Sequence, residues 1–281
     1  MKLATVRIDR DITRAVRLEG ESLVDLGLAD VDEVLRQPNW QEAAHSKNHG
    51  RYPLAQAEFA PLVSRPGKII CVGLNYRTHI LEMGREIPSY PTLFSKYREA
   101  LIGASDPILL PPESDAVDWE AELAVVVGAA TRRATTAEAS AAIAGFAVLN
   151  DVTMRDWQYR TPMWLQGKTW ESSTPFGPYL VTPDELPGGV RPALDISCEV
   201  NGQIVQKTNT SDLVFPPVAL IEYISTIVTL EPGDVIATGT PGGVGHARKP
   251  PVYLRAGDIL TTRIAGLGHA VNPTIAEAGR S

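Results

Sequence analysis

Cysteine is scarce in this sequence, because only Cys71 and Cys198 occur in 281 residues. Both stand in apolar, strand-like surroundings, which are typical of small buried side chains in a reducing compartment. The sequence therefore predicts no disulfide framework of the kind that holds small secreted domains together.

Long apolar runs and an excess of basic residues are also missing. No stretch approaches the roughly 20 apolar residues that a membrane-spanning helix needs. Residues 1–9 lack the apolar core of a signal peptide. The formal net charge of −7 disfavours nonspecific attraction to nucleic acids or anionic membranes. We therefore expect a cytoplasmic protein whose partners are neither nucleic acids nor membranes.

The composition is that of an ordinary globular protein, with 44% hydrophobic and 21% charged residues. A chain of this length can bury a substantial core as one large domain with a small appendage. The cluster Arg65-Pro66-Gly67 interrupts the pattern. We therefore predict a small N-terminal domain over residues 1–65 and a larger domain over residues 66–281.

Short strands with turn signals recur through the sequence. The dipeptide Asn201-Gly202 between two alternating segments is typical of a type I′ hairpin. Pro217 can open a helix whose apolar positions continue to Val228. In residues 1–65, Asp30 can cap a helix that starts near Val31, with Glu33 completing a capping box. This pattern favours an all-β or α+β fold over alternating βαβ units.

The segment from Asp118 to Gly128 reads as an apolar strand that opens with carboxylates. Glu120 and Glu122 are two residues apart and so point to the same face of a strand. Asp151 ends the next apolar run, so pairing of the two strands would bring three carboxylates together. Oxygen ligands of this kind suit Mg²⁺, Mn²⁺ or Ca²⁺ rather than Zn²⁺. The alternative is the solvated face of an edge strand.

A second polar pair follows the apolar strand that ends at Val72. His79 and Glu82 are three residues apart and face the same way on a helical turn. A carboxylate in this position can orient an imidazole and raise its basicity, as in a general base. A surface ion pair on a helix is the alternative.

Several blocks of the sequence occur together in an order that is more specific than any one of them. They are Val72 to Tyr76 with His79 and Glu82, Phe94-Ser95-Lys96, Asp118 to Gly128, Asn150 to Thr153 with Arg155 to Gln158, Gly167-Lys168, Pro175 to Pro178, Asn201-Gly202, and Thr238 to Gly245. Over residues 66–272 this series resembles the fumarylacetoacetate hydrolase family.

The resemblance implies a mostly β, α+β fold: a rolled mixed β-sandwich, usually in a homodimer. It places catalysis in residues 66–281 and leaves residues 1–65 as a variable N-terminal region. It also implies a Mg²⁺ or Mn²⁺ site at Glu120, Glu122 and Asp151, with Ca²⁺ as a further candidate. His79, Glu82 and Lys168 would be catalytic.

The same resemblance assigns substrate binding to Lys168, Gly239 and Thr240. Tyr76 and Arg77 are further candidates for the lining of the substrate pocket, and packing is the alternative for a tyrosine that follows a strand. The glycine-rich segment that contains Gly239 and Thr240 would bind a carboxylate through backbone N–H groups. A plain glycine turn is the alternative, and the proline-rich segment that follows excludes a dinucleotide fingerprint. Lys96 is expected either to pair with the carboxylates or to cap a strand. Arg155, Asp156 and Gln158 are expected to support the ligand Asp151.

The resemblance implies metal-dependent hydrolysis of a carbon–carbon bond in a 2,4-dioxo acid, an acylpyruvate such as fumarylpyruvate, in aromatic-compound catabolism. Residues 80–90 would form a lid over this small keto acid. Oxaloacetate decarboxylase and 2-hydroxyhepta-2,4-diene-1,7-dioate isomerase activities are alternatives within the family. An alternative of a different class is a non-catalytic binding protein for small molecules.

Overall fold

The computed structural model describes residues 1–9 and 12–278. Most of the regular structure is β-strand. The strands are β1 (Lys2–Asp9), β2 (Ile12–Glu19), β3 (Ser22–Asp25), β4 (Arg51–Pro53), β5 (Glu58–Phe59), β6 (Ile69–Gly73), β7 (Thr92–Lys96), β8 (Leu101–Ile102), β9 (Ile108–Leu110), β10 (Val117–Asp118), β11 (Ala121–Val127), β12 (Ile143–Asn150), β13 (Thr153–Met154), β14 (Thr174–Pro175), β15 (Leu180–Val181), β16 (Asp195–Val200), β17 (Gln203–Asn209), β18 (Val235–Ala237), β19 (Ile259–Ile264) and β20 (Gly268–Ala276).

The α-helices are short. They are α1 (Val31–Leu35), α2 (Trp40–Ser46), α3 (Arg77–Glu82), α4 (Thr136–Ala141), α5 (Arg155–Gln158), α6 (Leu165–Lys168) and α7 (Pro217–Ile227). As predicted, α7 has a proline in its first turn and buries Val218, Ile221 and Ile224. It ends one residue before Val228, which lies outside the helix.

The main sheet has the strand order β4-β3-β2-β1-β15-β12-β11-β18-β6-β7, with β5 paired to β1. It is mixed, because β18 and β6 run parallel while β11 and β12 are antiparallel. Every residue of β11 is buried, which explains its continuous apolar sequence after the carboxylates.

A second sheet has the order β17-β16-β19-β20-β9. The predicted hairpin joins β16 to β17, and both turn residues have positive φ, 52° at Asn201 and 76° at Gly202. Leu123 and Phe146 of the main sheet belong to the same buried cluster as Ile196 and Leu260 of the second sheet. This two-layer packing confirms the predicted mostly β, α+β fold.

The N-terminal strands are continuous with the main sheet. Lys2 of β1 pairs with Val181 of β15, and Leu3 shares a buried cluster with Ala124 of β11. The division at residue 65 into two domains stays a prediction, because sheet and core cross it.

Asp30 caps α1 as predicted, accepting a hydrogen bond from the Glu33 amide at 2.9 Å. The Glu33 side chain accepts from the Ala29 amide instead of closing the box on Asp30.

Cys71 and Cys198 are both buried and free, in agreement with their apolar surroundings in the sequence. Within the part of the chain that the structure describes, no helix combines the length and apolar character that crossing a membrane requires.

Candidate active site

The register of β11 and β12 brings the predicted carboxylates together. Ala121 pairs with Asn150, so Glu120 and Asp151 lie side by side just beyond the paired ends of the two strands. The Asp151 amide donates to the Glu120 carbonyl at 2.8 Å. The Glu120 amide donates to the side-chain oxygen of Asn150 at 2.9 Å. Carboxylate oxygens of Glu120, Glu122 and Asp151 lie within 4.8 Å of one another.

All three carboxylates are buried, and cations compensate two of them. Lys168 Nζ lies 2.8 Å from Glu120 Oε2 and 2.7 Å from Asp151 Oδ2. Lys96 Nζ lies 2.9 Å from Asp151 Oδ1, so Lys96 pairs with the cluster rather than capping a strand. Arg155 Nη2 lies 2.7 Å from Glu120 Oε1. Burial alone would lower the pKa of Lys168, but the Asp151 and Glu120 carboxylates outweigh it and raise that pKa.

Glu122 is different from its two neighbours. It has no cationic partner among the described residues, and its Oε2 accepts a hydrogen bond from the Gly239 amide at 2.7 Å. Burial, followed by repulsion from Asp151 and Glu120, raises the pKa of Glu122 well above its ordinary value. Burial also acts to raise the pKa of Asp151, but Lys168 and Lys96 outweigh it and lower that pKa.

The donor set fits a divalent cation. It consists of buried carboxylate oxygens, the ligands that Mg²⁺, Mn²⁺ and Ca²⁺ prefer. Asp151 Oδ1 is held by the ion pair with Lys96 at 2.9 Å but has no partner of regular hydrogen-bond geometry within the described residues. Lys96 also donates to Thr174 Oγ1 at 2.7 Å and to the Val152 carbonyl at 3.3 Å. With Asp118, which pairs with Arg155, four carboxylates face three cations, and a divalent cation would offset the excess negative charge.

A cavity of about 200 Å³ opens beside this cluster. Residues from several elements line it: Val72, Gly73, Leu74, His79, Met83, Arg85, Phe94, Glu120, Arg155, Gln158, Tyr159, Trp164, Lys168, Thr240, Val244, His246 and Ala247. The structure therefore places His79, Lys168 and Thr240 in one cavity with Glu120.

His79 and Glu82 project from α3 toward Gly242. A Cβ atom built on Gly242 would lie 3.1 Å from His79 Nδ1 and 3.2 Å from Glu82 Oε2. No hydrogen bond joins the two side chains in the described structure, so their interaction is electrostatic. Burial lowers the pKa of His79, and the opposing carboxylates of Glu82 and Glu120 do not reverse this. The imidazole is therefore neutral at pH 7, the form that a general base needs.

The glycine-rich segment contributes differently from the sequence-based prediction. The Gly239 amide is engaged by Glu122, so it positions a carboxylate of the cluster and is not available to a substrate. Thr240 lines the cavity, donates to the Ala121 carbonyl at 3.0 Å and accepts from Gln206 Nε2 at 2.9 Å. The segment thus fixes the Thr240 hydroxyl at the cavity wall.

Two residues predicted to bind substrate lie elsewhere. Tyr76 is 1% exposed and packs in the main core, and Arg77 is exposed at the start of α3. Neither lines the 200 Å³ cavity, so their role in substrate binding has no support from this geometry. Burial, with a smaller contribution from Glu122, raises the pKa of Tyr76.

The three polar residues predicted to support Asp151 differ in their hydrogen-bond partners and in whether they line the cavity. Arg155 donates to Asp118 at 2.8 Å and to Gln158 at 2.9 Å, and both Arg155 and Gln158 line the cavity. Asp156 instead accepts from Ser114 at 2.6 Å, outside the cavity lining. Arg155 therefore contacts Glu120 and Asp118 rather than Asp151, and Gln158 contacts Arg155. Support of Asp151 by these three residues stays a prediction.

Two further residues at or near the cavity were not predicted as site residues from the sequence. The sequence pattern gives no partner for His246 and does not single it out, yet it lines the cavity, and its Nδ1 lies 2.9 Å from the Tyr253 hydroxyl. Asp118 accepts from the amides of Gly245 at 2.7 Å and His246 at 3.0 Å. It therefore links the carboxylate segment to the glycine-rich segment. Only the proximity of both residues to recognisable motifs could have drawn attention to them.

Comparison with known proteins shows the family to which this chain is similar. Residues 68–275 match the family model described as fumarylacetoacetate (FAA) hydrolase C-terminal. A rat (Rattus norvegicus) protein, oxaloacetate tautomerase Fahd2a, mitochondrial, is 46% identical over 224 residues, which cover 79% of this chain and 71% of that protein.

Solved structures agree in fold. A putative HpcE protein from Mycobacterium smegmatis superposes with a TM-score of 0.88 at 34% identity, covering 99% of this chain and 100% of that one. Maleylpyruvate hydrolase from Sphingobium sp. SYK-6, in complex with manganese (II) ion and pyruvate, superposes with a TM-score of 0.79 at 29% identity and the same coverage.

One expectation from the sequence is corrected by these relatives. We expected a cytoplasmic protein, but the rat protein and its counterparts from cattle, human and frog (Xenopus laevis) are named as mitochondrial. Those names point away from the cytoplasm. The prediction was wrong because it took the lack of an apolar signal-peptide core as its guide. The family itself is enzymatic and contains hydrolases, isomerases and oxaloacetate tautomerases. On the match of the family model and the similarity of these relatives, the chain belongs to the fumarylacetoacetate hydrolase family.

Proposed function

We propose that the protein is a divalent-metal-dependent enzyme that interconverts the keto and enol forms of a small 2-oxo acid of the oxaloacetate class. One observation carries the proposal: a neutral imidazole and a buried lysine line the same small cavity as the carboxylate cluster. That arrangement can move a proton next to a ketone and stabilise the negative charge that results.

The cluster supplies the metal site. Glu120, Glu122 and Asp151 would hold Mg²⁺ or Mn²⁺. When bound, the ion supplies Lewis-acid polarisation of the substrate's carbonyl.

The remaining chemistry belongs to the protein's own side chains. In the keto-to-enol direction, neutral His79 accepts a proton from carbon 3. The electrons of the broken C–H bond form the double bond between carbons 2 and 3, and the negative charge moves to the oxygen on carbon 2. The ammonium of Lys168 stabilises that charge electrostatically. A water molecule protonates this oxygen to give the enol, and the hydroxide that remains takes the proton from His79, which regenerates both water and the neutral imidazole. In the enol-to-keto direction the same transfers run in reverse, and His79 delivers the proton to carbon 3.

The size of the cavity and the similarity to tautomerases both favour a small substrate. Sites for drug-sized ligands are typically about 300–1,000 Å³, whereas this cavity is about 200 Å³. A four-carbon diacid suits that volume better than the seven-carbon fumarylpyruvate. The named activity of the rat relative is oxaloacetate tautomerisation.

Hydrolysis of an acylpyruvate is the second candidate. It is supported by the approach of His79 and Glu82 to Gly242, a pair that suits the activation of water. The Sphingobium structure is that of a hydrolase. In this reaction His79 takes a proton from water, whose oxygen attacks carbon 4, and the bond between carbons 3 and 4 breaks to leave the pyruvate enolate. A role in aromatic-compound catabolism depends on this second candidate.

A substrate panel distinguishes tautomerisation from hydrolysis. Metal-stripped protein is assayed before and after addition of Mg²⁺ or Mn²⁺, with enol oxaloacetate and with fumarylpyruvate. Loss of the enol's ultraviolet absorbance follows ketonisation, and chromatography detects fumarate released by hydrolysis. We expect metal-dependent acceleration of ketonisation well above the rate in metal-containing buffer.

Glu120→Gln should abolish that acceleration, while the exposed Glu99→Gln serves as the matched control. Fumarate release without accelerated ketonisation would replace the proposal by the second candidate. Metal-dependent binding without either reaction would identify a binding protein.

A further inference from the structure

One cationic side chain in the cavity lining forms no ion pair with the carboxylate cluster. Three arginine or lysine side chains line the cavity: Arg85, Arg155 and Lys168. Arg155 and Lys168 are both held by buried carboxylates. Arg85 forms no ion pair within residues 1–9 and 12–278, so its guanidinium is available to a ligand.

The backbone fixes the position of Arg85. Gly84 has φ of +66° directly after α3, which lets the chain reverse without steric strain. The Gly84 amide then donates to the Leu81 carbonyl at 2.9 Å, and the Arg85 amide donates to the Ile80 carbonyl at 3.1 Å. These paired bonds form a helix-terminating motif, and they hold Arg85 at the rim of the cavity.

His246 supplies a second polar group to the cavity lining, from the glycine-rich segment. Its ring lies against the rings of two tyrosines in tilted arrangements, with centroid separations of 5.3 Å to Tyr159 and 6.2 Å to Tyr253. The Tyr253 hydroxyl occupies Nδ1 at 2.9 Å. Nε2 has no hydrogen-bond partner in the described part of the chain. When Tyr253 donates to Nδ1, Nε2 carries the proton and can donate to an anion.

We propose that Arg85 and His246 form a site for the distal carboxylate of the substrate, which makes the enzyme selective for 2-oxo dicarboxylic acids. This inference rests on the proposed function, because it takes the cluster and Lys168 as the site of the 2-oxo end. The second carboxylate then pairs with the guanidinium of Arg85, which has no ion-pair partner among the described residues. A carboxylate also matches the planar fork of arginine better than a neutral group does.

The site predicts a preference that can be measured without catalysis. Lactate and malate share the carboxylate and 2-hydroxyl groups that can chelate a metal, and malate adds one distal carboxylate. Calorimetric titration of the Mg²⁺-loaded protein should show malate binding about 10-fold more tightly, as expected for a charged hydrogen bond. Arg85→Gln should remove this preference and leave lactate affinity unchanged.

Three further variants separate binding from structural effects. Arg85→Lys should restore part of the preference, because it keeps the charge. His246→Phe should keep the contacts with the two tyrosine rings and weaken malate binding only. Arg98→Gln, an exposed arginine outside the cavity, is the matched control. The melting temperature of each variant shows whether it is folded.

The outcomes distinguish this inference from the proposed function. Equal affinity for lactate and malate in the wild-type protein, with no effect of Arg85→Gln, would overturn the distal site alone. Accelerated ketonisation of enol oxaloacetate could still be observed in that case. Failure of both acids to bind the metal-loaded protein would overturn the distal site and also count against the proposed function.

Discussion

The amide nitrogen of Gly239 lies 2.7 Å from Oε2 of Glu122. This hydrogen bond joins the glycine-rich segment to the one carboxylate of the cluster that has no cationic partner among the described residues. The same segment carries Thr240 and His246 into the cavity. The position of the cavity wall is therefore coupled to the position of Glu122.

Substitution of Gly239 tests that coupling. Gly239 has φ of +98°, and an added Cβ would lie 2.8 Å from the Val72 carbonyl oxygen. Gly239→Ala should destabilise the fold by about 1–3 kcal/mol, as strained backbone does, and should weaken metal binding as Glu122 shifts. Denaturant unfolding and Mn²⁺ calorimetry measure the two effects.

Gly20→Ala is the matched control for this variant. Gly20 also has positive φ, +59°, but nothing lies within 4 Å of its added Cβ. It should show a smaller loss of stability and normal Mn²⁺ affinity. Normal Mn²⁺ affinity in Gly239→Ala as well would show that the segment does not position Glu122.

Removal of one negative charge from the carboxylate cluster should have opposite effects on the thermal stability of the metal-free protein and of the metal-loaded protein. Like charges of three carboxylates within 4.8 Å repel one another. Glu122→Gln should therefore keep or raise the melting temperature of the metal-free protein. It should also remove the stabilisation by metal, which for the wild type is about 2.7 kcal/mol at 100 times the Kd.

Thermal unfolding with and without Mn²⁺ measures this crossover, and Glu99→Gln is the control. Equal stabilisation of wild type and Glu122→Gln by Mn²⁺ would contradict the assignment of Glu122 as a ligand.

The pH dependence of the reaction rate should reflect the protonation of His79. Its neutral form is the base, and burial lowers its pKa below the ordinary value of 6.5. Activity should therefore persist below pH 6.5 and then fall as acidification protonates the imidazole. Four charged groups act on the ring: Glu82 and Glu120 favour its protonation, while Arg155 and Arg85 oppose it.

His79→Gln should lower the rate by roughly 10²–10⁴-fold, as loss of a general base does, and should remove this acidic limb. Steady-state rates from pH 5 to 8 are the measurement, and the exposed His45→Gln is the control. An acidic limb unchanged in His79→Gln would assign the titration to another group.

The segment after α3 is predicted to respond to ligand. Residues 84–87 are exposed in the structure, while His79 and Arg85 line the cavity. Oxalate mimics enolpyruvate, and with metal it should contact Lys168 and Thr240 and inhibit competitively. If residues 80–90 form a lid, oxalate plus metal should slow hydrogen exchange across residues 79–90, because a ligand stabilises the state in which it makes contacts. Equal exchange in both states would leave closure out of the mechanism.

Much of the architecture could be predicted because it depends on local patterns. The buried β11, the Asn201-Gly202 turn and the proline-initiated α7 follow from periodicity and turn chemistry. The convergence of Glu120, Glu122 and Asp151 followed once two neighbouring strands were paired.

The features of the fold and of the site that the sequence did not predict depend on packing between residues far apart in the chain. The side-by-side placement of β1 and β15 joins residues 1–65 to the main sheet, and no local pattern specifies that pairing. Tyr76 shares the family motif with Asn75 but points into the core. His246 lines the cavity, and its backbone amide is held by Asp118, 128 residues away in the sequence.

The most direct test of the divalent-metal centre at Glu120, Glu122 and Asp151 is a crystal soaked with Mn²⁺ and oxalate. Anomalous diffraction at the manganese absorption edge locates the ion without reference to any assumed ligand. We expect one dominant peak among these three carboxylates, with oxalate beside it and Lys168. A dominant peak elsewhere, or no peak among the carboxylates in crystals that bind oxalate, would contradict the metal centre and the enol chemistry that depends on it.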